Sequence, residues 1–140
     1  MKKRGQISTE YLIIVAFLTF IILGVLGLAL LYTSQIRDSI KFNQIEQFAT
    51  KVISSAESVY FAGEPSKITL TAYIPQGVNS IIISDTEDTI TFNVASQSGT
   101  NVISYSSDVP LAPGSISNSV GVKKIQITAY PAYVNITETT

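Results

Sequence analysis

Few side chains in this sequence are equipped for chemistry, and Glu10 is the most conspicuous of them. No other charge stands between it and Arg37, and the interval from Tyr11 to Tyr32 reads YLIIVAFLTFIILGVLGLALLY. A carboxylate at the edge of such a run is costly unless it is paired or sits at an interface, so it marks function by default. Taken alone, an acid in the first turn of a helix is also favoured by the helix dipole. Lys2, Lys3 and Arg4 form a basic cluster just ahead of it. Further along, Asp85, Glu87 and Asp88 gather three carboxylates, the ligand type Ca²⁺ prefers. Within Asp85-Thr86-Glu87-Asp88 they read instead as a solvated hairpin turn, and no metal is expected. Asn135-Ile136-Thr137 is an N-glycosylation sequon.

The missing residue types narrow the chemistry further. There is no cysteine and no histidine among the 140 residues. Disulfides, thiolate metal sites, imidazole ligands and Ser–His–Asp catalysis are therefore ruled out. Serine, tyrosine, aspartate and glutamate remain, but in no base-and-orienter pattern, so neither an enzyme nor a cofactor is expected. A net charge of −1 gives no field to draw the chain onto nucleic acid, and Lys123-Lys124 is too short for a basic patch.

The elements that must position these residues follow from periodicity. The 22 residues from Tyr11 to Tyr32 contain one conventional polar residue, Thr19, and as a helix span about 33 Å, the thickness of a bilayer's hydrocarbon core. Tyr11 and Tyr32 stand at the two interfaces. The run is longer than the apolar core of a cleaved secretory signal, and no small-residue cleavage site follows it. Past Gly5 there are six basic against ten acidic side chains. Basic cluster, apolar run and acidic body, in that order, predict an N-terminus inside and a body outside. Gly24 and Gly27 form no G-x-x-x-G pair and read as ordinary membrane-helix glycines.

Beyond Tyr32 the helix is predicted to continue. Ile36, Ile40, Ile45, Phe48, Val52, Ala56 and Val59 form one stripe, with Arg37, Asp38, Lys41, Glu46, Lys51 and Glu57 mostly off it. Gly63 and Pro65 supply the stop. The period then changes from 3.6 to 2. Ile68, Leu70, Ala72 and Ile74 alternate with polar residues, as do Ile90, Phe92 and Val94, and then Ile125, Ile127 and Ala129. Six antiparallel strands are predicted near 67–74, 78–84, 89–95, 101–106, 122–130 and 132–137, forming a sheet with one aliphatic face. The serine-rich stretch from Ser104 to Val120 reads as loop. The fold class is α+β: a long helix over 6–62, apolar over 11–32 and amphipathic after it, packed against an antiparallel β head over 66–140.

Lys2-Lys3-Arg4-Gly5-Gln6-Ile7-Ser8-Thr9-Glu10 resembles the class III signal peptide of archaeal type IV pilins, in which a basic leader and glycine precede Q-x-S-x-E and an apolar segment. The resemblance implies a leader over 1–5 and cleavage between Gly5 and Gln6 by a membrane-embedded prepilin peptidase. It implies that Gln6, Ser8 and Glu10 form the processing and assembly motif. In that family the glutamate is thought to neutralise the terminal amine of a neighbouring subunit. Such a pair is favourable to bury only when both members are present. Removing Lys2, Lys3 and Arg4 also releases the anchor to the inner leaflet. The function implied is that of a structural subunit, inserted in the bilayer as a precursor and polymerised with like subunits into an extracellular helical filament. A separate assembly ATPase and membrane platform would drive it. A single-pass anchored binding module, or a minor accessory pilin, shares most of these features and differs in lacking cleavage or in not forming the filament body.

Overall fold

A computed structural model of the chain describes residues 4–96 and 99–139. Helix α1 runs from Arg4 to Ala62, and seven strands follow: β1 (Lys67–Ile74), β2 (Val78–Ser84), β3 (Thr89–Ser96), β4 (Gly99–Ser106), β5 (Gly114–Ile116), β6 (Gly121–Ala129) and β7 (Val134–Thr139). The chain forms two compact units that divide within α1, between Arg37 and Asp38.

In the second unit, α1 stops where its sequence requires. Gly63 takes a φ of 77°, a conformation open to glycine, and its N–H bonds to the Tyr60 carbonyl at 3.0 Å. The residues facing the core along this half are Ile45, Phe48, Ala49, Val52, Ala56 and Val59. Two members of the expected stripe do not join them: Ile36 is 56% exposed and Ile40 is 51% exposed. Helical spacing places residues on a face but does not say where cover begins, and here it begins at Phe42, packed against the core.

The β head consists of two antiparallel sheets rather than one, in the orders β1-β6-β7 and β4-β3-β2-β5. The alternation predicted from sequence is the alternation seen. Leu70, Ala72 and Ile74 on β1, Ile125, Ile127 and Ala129 on β6, and Ile90, Phe92 and Val94 on β3 are all buried. Ile68, at the start of β1, is 40% exposed. Phe92 ties helix to sheet, meeting Phe48 and Tyr105 edge-on at centroid distances of 5.7 and 5.9 Å. Burial, and then the negative Glu46, raise the Tyr105 phenol above its ordinary value, so it stays neutral in this contact.

The stretch from Ser104 to Val120, expected to be loop, carries the connection between the sheets. Leu111 forms a parallel bridge to Val134 of β7, and three residues later β5 pairs with β2, Ile81 opposite Ile116. The Val134 N–H bonds to the Pro110 carbonyl and the Ala112 N–H to the Val134 carbonyl, both at 2.8 Å. A three-residue strand has no alternation to read, which is why the sequence concealed it. The last strand also begins later than expected, at Val134, because Tyr130–Tyr133 form the β6–β7 turn around Pro131, which has no N–H to give a ladder.

One polar atom of the head stands out. The hydroxyl of Thr89 is buried and, among the described residues, has no hydrogen-bond partner. An unsatisfied buried hydroxyl costs on the order of 1 kcal/mol or more, and valine has the same shape and suits a strand. Thr89→Val should therefore leave stability unchanged or raise it by about 1 kcal/mol, read as a rise in the denaturation midpoint. A loss of similar size would show that this hydroxyl has a partner.

Candidate functional site

The motif residues lie in the first two turns of α1. Lys2 and Lys3 fall outside the described residues. Arg4, Gly5, Gln6, Ile7 and Ser8 have helical backbone, with side chains outside the described set. The helix therefore runs through the Gly5–Gln6 junction. Glu10 follows on an exposed surface, and among the described residues no cation lies within ion-pairing distance of its carboxylate.

From Tyr11 to Tyr32 every residue is exposed, on all sides of the helix. Seventeen of them are large and apolar, among them Phe20 at 76% exposure. Burying one such side chain is worth about 1.5–3 kcal/mol, so leaving all of them in water forfeits roughly 25 kcal/mol or more, against a typical net stability of about 5–15 kcal/mol. Lipid or other protein must cover this surface. The helix is long and apolar enough to cross a membrane. Its internal polarity suits a medium without water: the Thr19 hydroxyl donates to the Val15 carbonyl at 2.8 Å, four residues back. A side chain added at Gly24 or Gly27 would meet no atom of the described residues within 4 Å, so none of them requires either glycine.

The other residues singled out by sequence serve different ends. Asp85, Thr86, Glu87 and Asp88 do form the β2–β3 hairpin turn. Asp88 has a φ of 50°, its carboxylate accepts from the Leu111 N–H at 2.9 Å, and its carbonyl accepts from the Ser107 N–H at 2.8 Å. It therefore anchors the segment that joins the two sheets. Asn135 lies within β7, inside the strand predicted near 132–137, half-buried and opposite Thr128 of β6, between the buried Val134 and Ile136.

Sequence reasoning missed three lysine contacts that hold the head together. Lys41 donates to the Ala95 carbonyl at 2.7 Å, and Lys51 to the Thr71 carbonyl at 2.6 Å, so α1 is tied to β3 on one side and to β1 on the other. Gly77, at a φ of 96°, leaves room for the first: a Cβ there would stand 3.2 Å from Lys41 Nζ. Lys123 pairs with Glu138 at 2.7 Å and donates to Ser119, while Glu138 also accepts from the Ser117 N–H at 3.0 Å. No spacing rule links Lys41 to Ala95, Lys51 to Thr71 or Lys123 to Glu138, because these partners lie 15 to 54 residues apart.

The Lys123 hydrogen bond, aided by that from Ser117, holds Glu138 below its ordinary value near 4.5 against the opposing effect of partial burial. A carboxylate whose folded pKa is depressed contributes stability above its unfolded pKa, and loses that contribution as pH falls through the folded value. The pair is near the surface, so the contribution is below about 1 kcal/mol. Glu138→Gln should flatten the fall in stability on acidification below about pH 4.5, and chemical denaturation from pH 6 to 3 would detect it. An unchanged slope would show that this clip carries no linkage.

No protein-family model matches the chain, and neither a characterised protein nor a solved structure matches it.

Proposed function

We propose that this protein is the structural subunit of an archaeal type IV pilus-like surface filament, made as a precursor and cleaved between Gly5 and Gln6. The observation that carries the reading is a conjunction: an apolar helix exposed on every side, introduced by Gly5-Gln6-Ile7-Ser8-Thr9-Glu10, in a chain whose other compact unit is a β head. The apolar surface first meets lipid, with the N-terminus cytoplasmic and the head outside. Removal of Met1–Gly5 deletes three positive charges that bind the inner leaflet. The helix then leaves lipid for contact with other subunits, at little cost in apolar area exposed to water. Glu10 pairs with the new terminal amine of a neighbour and sets the register. Unlike surfaces meeting around the core make the contacts heterologous and the polymer open. The partners are the prepilin peptidase, further pilin subunits, the assembly ATPase and the membrane platform. Adhesion would fall to the heads.

The test is the mature N-terminus, determined by mass spectrometry on protein from native membranes and from sheared surface fibres. A chain beginning at Gln6 and enriched in fibres is expected. Gln6 found only in membranes would make this an accessory subunit, and an intact N-terminus would leave an anchored module.

A further inference from the structure

Asn135-Ile136-Thr137 has no role in the filament reading. The chain has six asparagines, and only Asn135 is followed two places on by serine or threonine. On β7, Val134 and Ile136 are buried in the core, so strand alternation turns Asn135 and Thr137 to the opposite, outer face of the three-stranded sheet. The acceptor amide and the hydroxyl of the sequon thus stand side by side on one face.

Asparagine is a poor strand former, so its place within a ladder needs a reason. Hydrogen bonding supplies one elsewhere in the head. Asn93 donates to Ser80, Asn101 to Ser96 and Asn118 to the Asn79 carbonyl, at 2.7 to 3.1 Å. Among the described residues, no hydrogen bond engages the side-chain amide of Asn135. Register also gives its surroundings. Lys67, Thr128 and Asn135 form one row across the outer face, and Thr69, Gln126 and Thr137 form the next. These rows hold hydroxyls, amides and one ammonium group, with no apolar side chain and no carboxylate. A bulky hydrated group laid over them covers nothing that gains from burial and keeps its own water.

We propose that Asn135 carries an N-linked glycan, attached on the outer side of the membrane while β7 is still unpaired. In that step the Asn135 Nδ2 attacks the anomeric carbon of a sugar held on a lipid phosphate. A C–N bond forms as the C–O bond to phosphate breaks; the amide gives up one proton and the lipid phosphate leaves. In the folded head the Thr137 hydroxyl donates to the Gln126 carbonyl at 3.4 Å, and Asn135 and Thr137 both belong to the β6–β7 ladder. The acceptor segment is therefore free to enter a transferase only before that ladder closes. As an edge strand and the last in chain order, β7 is the strand whose pairing can wait. Once it has closed, the glycan stays outside, because Asn135 points away from the core. The proposal rests on the filament reading for one premise, that the head lies outside the membrane.

Trypsin cuts after Lys124, and no lysine or arginine follows, so one peptide beginning at Ile125 carries the site. In full-length protein from native membranes and surface fibres, its mass should exceed that of its sequence by whole sugar residues. Thr137→Ser, which keeps the hydroxyl, should retain the excess, whereas Asn135→Gln and Thr137→Val should abolish it. A parent peptide at its sequence mass, or an excess that survives Asn135→Gln, overturns the proposal. Val120→Thr then shows which premise failed, because it puts a threonine two places after Asn118 in an exposed loop. Sugar on Asn118 but not on Asn135 keeps the head outside and refutes the site; sugar on neither faults the outward head instead.

Discussion

A chain carrying Glu10→Gln should be cut between Gly5 and Gln6 as well as the parent, yet appear in fibres at a small fraction of the parent's level. On the filament reading proposed above, cleavage acts on the Gly5–Gln6 bond, whereas the carboxylate would be needed afterwards, when the new α-amino group, with an ordinary pKa near 8, would arrive among apolar helices carrying a positive charge. Leaving one member of a buried ion pair without its partner costs about 3–5 kcal/mol, and in a polymer that cost recurs at every subunit. Glutamine retains the shape and a carbonyl acceptor but not the charge. Glu10→Asp, which keeps the charge on a shorter arm, should recover part of the yield. Quantifying the mature chain in sheared fibres and in membranes decides the matter. Normal fibre yield for Glu10→Gln would mean that Glu10 has no part in assembly, and would leave it an exposed acid in the second turn of α1, which begins at Arg4.

The second large effect lies in the head. Phe92 is 1% exposed and sits between Phe48 of α1 and Tyr105 of β4. Phe92→Ala removes the ring from a site bounded by two other rings and by sheet, which cannot readily collapse. The expected cost is about 3–5 kcal/mol, comparable with the whole stability of a modest domain. For a unit of this size that corresponds to a fall in Tm of at least about 12 °C, measurable by circular dichroism on the detergent-solubilised full chain. Val122→Ala, on the exposed side of β6, should change stability by no more than about 0.5 kcal/mol. If the two substitutions proved equally mild, Phe92 would not be the link between helix and sheet.

Much of this architecture was legible in the sequence because it depends on local rules. The change of period from 3.6 to 2 falls at Gly63 and Pro65, and Gly63 does adopt the positive φ that ends α1. Inward alternation at Ile90, Phe92 and Val94, and at Ile125, Ile127 and Ala129, follows from strand geometry and required no knowledge of partners. The apolar run was equally plain, since 22 residues pass without a charge and with Thr19 as the one conventional polar residue between the two tyrosines. For the candidate site, the order of residues from Lys2 to Glu10 is all that sequence provides, and it suffices to state the hypothesis.

Tertiary structure decided what depends on partners distant in the chain. Alternation says that a residue faces inward but not toward which sheet, so the separation into β1-β6-β7 and β4-β3-β2-β5 could not be foreseen. Asp88 looked like a solvated acid until Leu111, 23 residues away, supplied its N–H. Lys41 and Lys51 looked like the solvent side of a helix until Ala95 and Thr71 presented carbonyls to them. Ile36 and Ile40 obeyed the helical stripe and are nonetheless exposed, because periodicity gives direction and only folding determines where the covering layer ends. The sequon at Asn135 was always present in the letters, but its surroundings became a surface only when register placed β1, β6 and β7 side by side. Local backbone preference and side-chain periodicity are written along the chain; pairing between segments is settled by which contacts best repay the entropy of closing long loops, and that balance exists only in three dimensions.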